Sequence, residues 1–159
     1  MIELEQMPAH SRVWIYQSDR NFKEEERQTI DSALDAFVSG WTAHSKQLFA
    51  TAFLAFDRYV IFLVDEKSEA ASGCSIDKSV KMVQELEVRV SCTFFDRLNF
   101  TYQTEEGIQT IHKDDMQAAY RDGIINDKTL FFNNLVTSKE GLMNDWRVEL
   151  ENSWHKQFV

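Results

Sequence analysis

The chain has 159 residues, 43% hydrophobic and 27% charged, which is enough apolar material for a real core and too much for a disordered chain. Its formal net charge of −9 argues against nucleic acid and anionic membranes as partners, because an acidic chain repels phosphate unless it holds a local basic patch. Two cysteines, Cys74 and Cys92, are too few for a disulfide framework and lack ligand spacing, so no metal is expected.

Residues 1–9 hold neither a basic nor an apolar run and do not read as a signal peptide. No apolar stretch approaches the ~20 residues of a membrane span. The expected compartment is the reducing cytoplasm.

Val13-Trp14-Ile15-Tyr16 is apolar at every position and predicts a strand buried on both faces. A helix follows, with Asn21 as cap and Glu24 closing a capping box. Its stripe is Ile30, Leu34, Phe37 and Trp41, and Gly40 marks its end. Residues 48–56 predict a second strand, Asp57-Arg58 a two-residue turn, and residues 59–64 a third strand. A second helix, capped by Ser75, carries Ile76, Val80, Val83, Leu86 and Val90 on one stripe. Leu98, Phe100 and Tyr102 alternate with polar residues, as an edge strand with one wet face would.

This order, βαββαβ over about residues 12–104, predicts an α+β protein with a ferredoxin-like core. Both helices then cover one sheet face. The other apolar face needs residues 105–159 or a second copy of the chain, so a homodimer or a protein partner through that face is expected. The C-terminal extension, residues 105–159, reads as mixed α/β: a strand at 108–111, a helix carrying Met116 and Tyr120 and ended by Gly123, a strand at 130–136, and a last helix opened by Thr137 with Glu140 and carrying Leu142, Met143 and Trp146. No linker separates it, so residues 1–159 read as one domain.

The stretch Ala71 to Ser79 concentrates the candidate chemistry. Cys74 lies at a predicted helix start, where free amides and Lys78 would stabilise a thiolate. As a nucleophile it would need His155 or His112 as base; the bland alternative is an inert thiol at a tight turn. The same stretch also reads as an anion site, with Ser72, Gly73, Ser75 and Lys78 as ligands. It is not a Walker loop, because Asp77 precedes Lys78 where a glycine is required. Asn133-Asn134 interrupts an apolar strand and reads as a ligand or backbone clamp, or else as a polar strand end. Ser153-Trp154-His155 reads as a lid or as a terminal anchor. No cofactor pattern is present.

Trp14-Ile15-Tyr16 followed by Arg20, the Ser72–Val80 stretch, Phe95-Asp96-Arg97, Phe132 to Val136 and Ser153-Trp154-His155 together span nearly the whole chain. In these pieces it resembles a small bacterial family often labelled "ABC transporter ATPase". The label implies a nucleotide-driven transporter motor. The chain lacks a Walker loop and a transporter signature and is too short for such a motor, so ATPase activity is not expected. Met116 to Val136 is similar to the helix–Asp-Gly-Ile-Ile–strand unit of a second type of GYF-like domain, a resemblance that implies protein interaction. The expected function is a binding or protein-interaction module, with a small anion at the Ser72–Ser79 loop. The alternative is a cysteine-dependent enzyme using Cys74.

Overall fold

A computed structural model describes residues 1–159. The chain is α+β, with four α-helices and nine strands, all paired antiparallel. It folds as two units, residues 1–95 with 137–140, and residues 96–136 with 141–159.

The first unit contains Arg12–Gln17 (β1), Glu24–Ser39 (α1), the small hairpin Thr42–Ala43 (β2) and Lys46–Gln47 (β3), Ala50–Ala55 (β4), Tyr59–Val64 (β5) and Gly73–Val90 (α2). Its main sheet has the order β1-β5-β4, with Ile15 opposite Ile61 and Ile61 opposite Phe53. β5 is central and all six of its side chains are buried, which is why it is apolar at every position. Val60, Phe62 and Val64 join Ile30, Leu34 and Val38 of α1 and Met82, Val83, Leu86 and Val90 of α2 in one core. Tyr59, Ile61 and Leu63 on the opposite face are equally buried.

The first three predicted strands pair in one antiparallel sheet. The fourth does not join them. The free edge of β1 is met by residues 137–138: the Val13 N–H donates to the Thr137 carbonyl at 3.0 Å, and Arg12 bridges Ser138. Lys139 N–H donates to the Ser11 carbonyl at 2.8 Å, and Lys139 Nζ to the Met7 carbonyl at 2.6 Å. A bare strand edge is a liability, and here a distant segment covers part of it.

Three local expectations shift. The turn between β4 and β5 centres on Phe56 and Asp57, with φ of 52° and 53°, and Arg58 N–H closes on the Ala55 carbonyl at 3.1 Å. Two adjacent positive φ angles mark a type I′ turn, one residue earlier than Asp57-Arg58. α1 starts after Lys23 rather than Asn21, and Glu26 Oε2 accepts from the Lys23 N–H at 2.8 Å. α2 is capped by Ser72, not Ser75, because the chain turns helical immediately at Gly73.

The second unit contains Asn99–Thr104 (β6), Gly107–His112 (β7), Met116–Arg121 (α3), Leu130–Phe132 (β8), Lys139–Asn144 (α4, whose first two residues belong with the first unit) and Arg147–Glu149 (β9). The sheet order is β7-β6-β8-β9, so β6 is interior rather than an edge. Its alternation misleads because Thr101 is fully buried between its neighbours. Phe100, Tyr102, Ile111, Met116, Ala119, Ile125, Phe131 and Leu150 form the core. Gly107 and Gly123 turn the chain with φ of 115° and 77°, where a side chain would be strained. The strand expected over 130–136 stops at Phe132, Trp146 lies beyond α4, and Met143 is exposed rather than on a buried stripe. No helix is long and apolar enough to cross a membrane.

Candidate functional site

The start of α2 is built from its serines. Ser72 Oγ accepts from the Ser75 N–H at 3.1 Å, and Ser75 Oγ donates back to the Ser72 carbonyl at 2.8 Å. Ser75 and Ser79 face inward, and Ser79 Oγ donates to the Ile76 carbonyl at 2.6 Å. The Ser75 carbonyl in turn accepts from Trp41 Nε1 at 2.9 Å. These hydroxyls are therefore committed to capping and packing. Gly73 and Cys74 are exposed on the first turn, and a Cβ on Gly73 would meet nothing within 4 Å. Cys74 is a free, exposed cysteine, whereas burial pushes the thiol of buried Cys92 up from its ordinary value.

The other predicted site residues, His112, Asn133, Asn134 and His155, belong to the second unit. Asn133 Oδ1 accepts from Trp154 Nε1 at 3.0 Å and from the Leu135 N–H at 3.2 Å. Asn134 Oδ1 accepts from Trp146 Nε1 at 2.9 Å. The pair clamps two indoles. His155 is fully buried among Phe100, Phe131 and Trp154, with its ring stacked on Trp154 at 3.9 Å and Nδ1 2.6 Å from Ser153 Oγ. Desolvation lowers its pKa to about 4, so the ring is neutral at pH 7. Half-buried His112 accepts from the Asp114 N–H through Nδ1 at 3.2 Å.

Lys78 leads to a feature the sequence reading missed. Lys78, Lys81, Glu85 and Arg89 share one exposed flank of α2, and beside them a groove of about 550 Å³ opens between α2 and α1. Its lining is Ala33, Ala36 and Phe37 of α1, Gly40 and Trp41 just past the end of that helix, and Met82 and Leu86 of α2. Many cations of the chain are paired. Arg20 pairs with Glu26, Arg27 with Glu24 and Asp57, Lys128 with Glu149 and Glu151, and Lys156 with Asp127. Lys78, Lys81 and Arg89 have no ion-pair partner. The available signal was spacing: positions 78, 81, 85 and 89 recur at helical intervals.

Two arginines were also missed as structural pieces. Arg20 forks onto Glu26 with two bonds of 2.8 Å and donates to the Val90 and Ser91 carbonyls at the end of α2. Its hydrogen bonds are the main cause holding the Glu26 carboxyl at about 2, helped by the Lys23 N–H. Arg58 is buried and donates to the Ser18 and Asp19 carbonyls at 3.2 and 2.9 Å, and burial lowers its pKa. No protein family, curated protein or solved structure matches this chain.

Proposed function

We propose that the chain is a binding or protein-interaction module whose ligand is anionic and amphipathic, and that it is held in the α1–α2 groove. The observation that carries this reading is the row of cations without partners, Lys78, Lys81 and Arg89, beside an apolar groove in a chain of net charge −9. An apolar floor with a few placed charges is the ordinary make-up of a ligand cleft. The anion site moves from the Ser72–Ser75 hydroxyls, which cap the helix, to the flank that starts at Lys78. The first unit is read as a ferredoxin-like core in which residues 137–138 occupy part of the fourth strand's place. Nucleotide hydrolysis has no support in this arrangement, because Asp77 stands before Lys78.

Titration of the full chain with decanoate and with decylammonium tests the reading, with Trp fluorescence as readout, since Trp41 lines the groove. Decanoate binds about tenfold tighter, the worth of ~1.4 kcal/mol of charge attraction. The exposed double variant Lys81→Glu/Arg89→Glu loses that preference. Equal binding of the two amphiphiles, or none, would sink the proposal.

A second reading, a cysteine-dependent enzyme with Cys74 as nucleophile, is favoured by one observation: Cys74 is exposed on the first turn of α2. Alkylation of intact protein against pH, with buried Cys92 as internal control, decides it. Reaction of Cys74 as a thiolate well below the usual thiol value of about 8.5 supports the enzyme. Ordinary thiol behaviour removes it.

A further inference from the structure

We infer that the α1–α2 groove receives one amphipathic helix of a partner protein, acidic along a single flank. This rests on the reading above and names the ligand of the same groove.

The cationic flank runs from Lys78 to Arg89, about 16 Å at 1.5 Å per residue, or three helical turns. A groove of about 550 Å³ along that length is a furrow that takes a row of apolar side chains and leaves the partner's backbone above it. The two walls are unlike. The α1 side offers the small residues Ala33 and Ala36 and, just past the helix end, Gly40, with the Phe37 ring among them, and a Cβ on Gly40 would meet nothing within 4 Å. A helix can therefore approach closely at Ala33, Ala36 and Gly40 while packing on the Phe37 ring. The α1 wall carries no charge, so the electrostatic demand falls on one flank of the occupant only.

That demand has a pattern. The α2 flank reads Lys78, Lys81, Glu85 and Arg89, cation at three positions and carboxylate at one. A docked helix matches it with acids facing 78, 81 and 89 and a neutral or basic residue facing Glu85. A second copy set groove to groove would bring its own Lys78, Lys81 and Arg89 to the same face, so two copies of this surface are alike in charge rather than complementary.

The test uses the full chain and two labelled synthetic peptides of eighteen residues, about five turns long. Both share a Leu/Ala apolar face. One places Glu along one flank at positions i, i+3 and i+11, with Lys at i+7; the other exchanges every Glu for Lys and the Lys for Glu. Fluorescence anisotropy should show saturable binding of the acidic peptide, weakened by added salt, and a loss of about tenfold or more with Lys81→Glu. A peptide with Lys in place of the Glu facing position 81 should recover most of that loss on the Lys81→Glu chain. Because Lys81 is exposed, this variant folds, and its circular dichroism checks that it does. No saturable binding of the acidic peptide, equal binding of the two peptides, or no recovery by the exchanged pair overturns the inference. If decanoate binds while the acidic peptide does not, the groove takes small amphiphiles only: the helix inference falls and the broader reading stands. If neither binds, both fall.

Discussion

In the first unit the indole of Trp41 donates to the backbone carbonyl of Ser75; in the second, the indoles of Trp154 and Trp146 donate to the side chains of Asn133 and Asn134. The difference teaches where each unit is vulnerable. A backbone acceptor survives any change of the residue that carries it. A side-chain acceptor vanishes with one substitution and leaves a donor without its bond. The cores differ in the same sense. The first holds apolar and aromatic side chains plus Cys92, while the second packs a neutral imidazole against three aromatic rings.

The largest expected effect belongs to the first unit. Trp41→Ala removes a fully buried ring that touches Trp14, Phe37 and Phe62, and should cost about 3–5 kcal/mol in denaturant unfolding. A cost under about 1 kcal/mol would mean that the indole is not the keystone its contacts suggest. Next comes acid. His155 titrates at about 4 when folded, against an ordinary 6.5, so between those values the unfolded chain binds a proton that the native chain does not. Stability is full above pH 6.5 and falls by about 3 kcal/mol on the way to pH 4. His155→Phe should flatten that slope. Glu26 is shifted in the same direction but in a lower window: its depressed carboxylate stabilises above its ordinary 4.5 and loses its contribution toward about 2. The second unit should therefore loosen at milder acidity than the first, seen as Trp154 and Trp146 fluorescence changing before the α1 helical signal. One concerted transition with no slope between pH 6.5 and pH 4 would break the comparison. The smallest effects are a matched pair. Asn133→Ala strips acceptors from Trp154 and Leu135 and should cost about 1–3 kcal/mol, whereas Ser75→Ala keeps the carbonyl that holds Trp41 and should cost about 0.5–1 kcal/mol. Equal costs would erase the distinction.

The same contrast explains what could be read from the residues. Asn133-Asn134 and Ser153-Trp154-His155 stood out in the sequence because side-chain polarity interrupts an apolar pattern, and the structure gives each a partner. β5 was legible because a strand buried on both faces must be apolar throughout. Backbone-mediated features were silent. Nothing in the letters says that the Ser75 carbonyl holds Trp41 or that residues 137–138 reach β1. The placement of β6 was misread because a buried threonine looks like a solvated one, and Thr101 pairs inside a sheet. The groove was overlooked because surface lysines on a helix are ordinary; only their alignment beside an apolar groove sets them apart. The Ser72–Ser75 cluster drew attention for its hydroxyls, which are the usual signature of a helix cap.

The segment 137–140 has a consequence for synthesis. On the ribosome, β1, β4 and β5 are all made by residue 64, yet the strip that covers the edge of β1 is made only at residue 140. At ~5–20 residues per second, the nascent chain waits about 4–15 s with that edge open. During this interval a second nascent chain on the same message finds the Val13 N–H without its Thr137 partner. Slowed translation between residues 96 and 136 lengthens the exposure, and the yield of soluble protein should respond to codon choice there more than anywhere after residue 140.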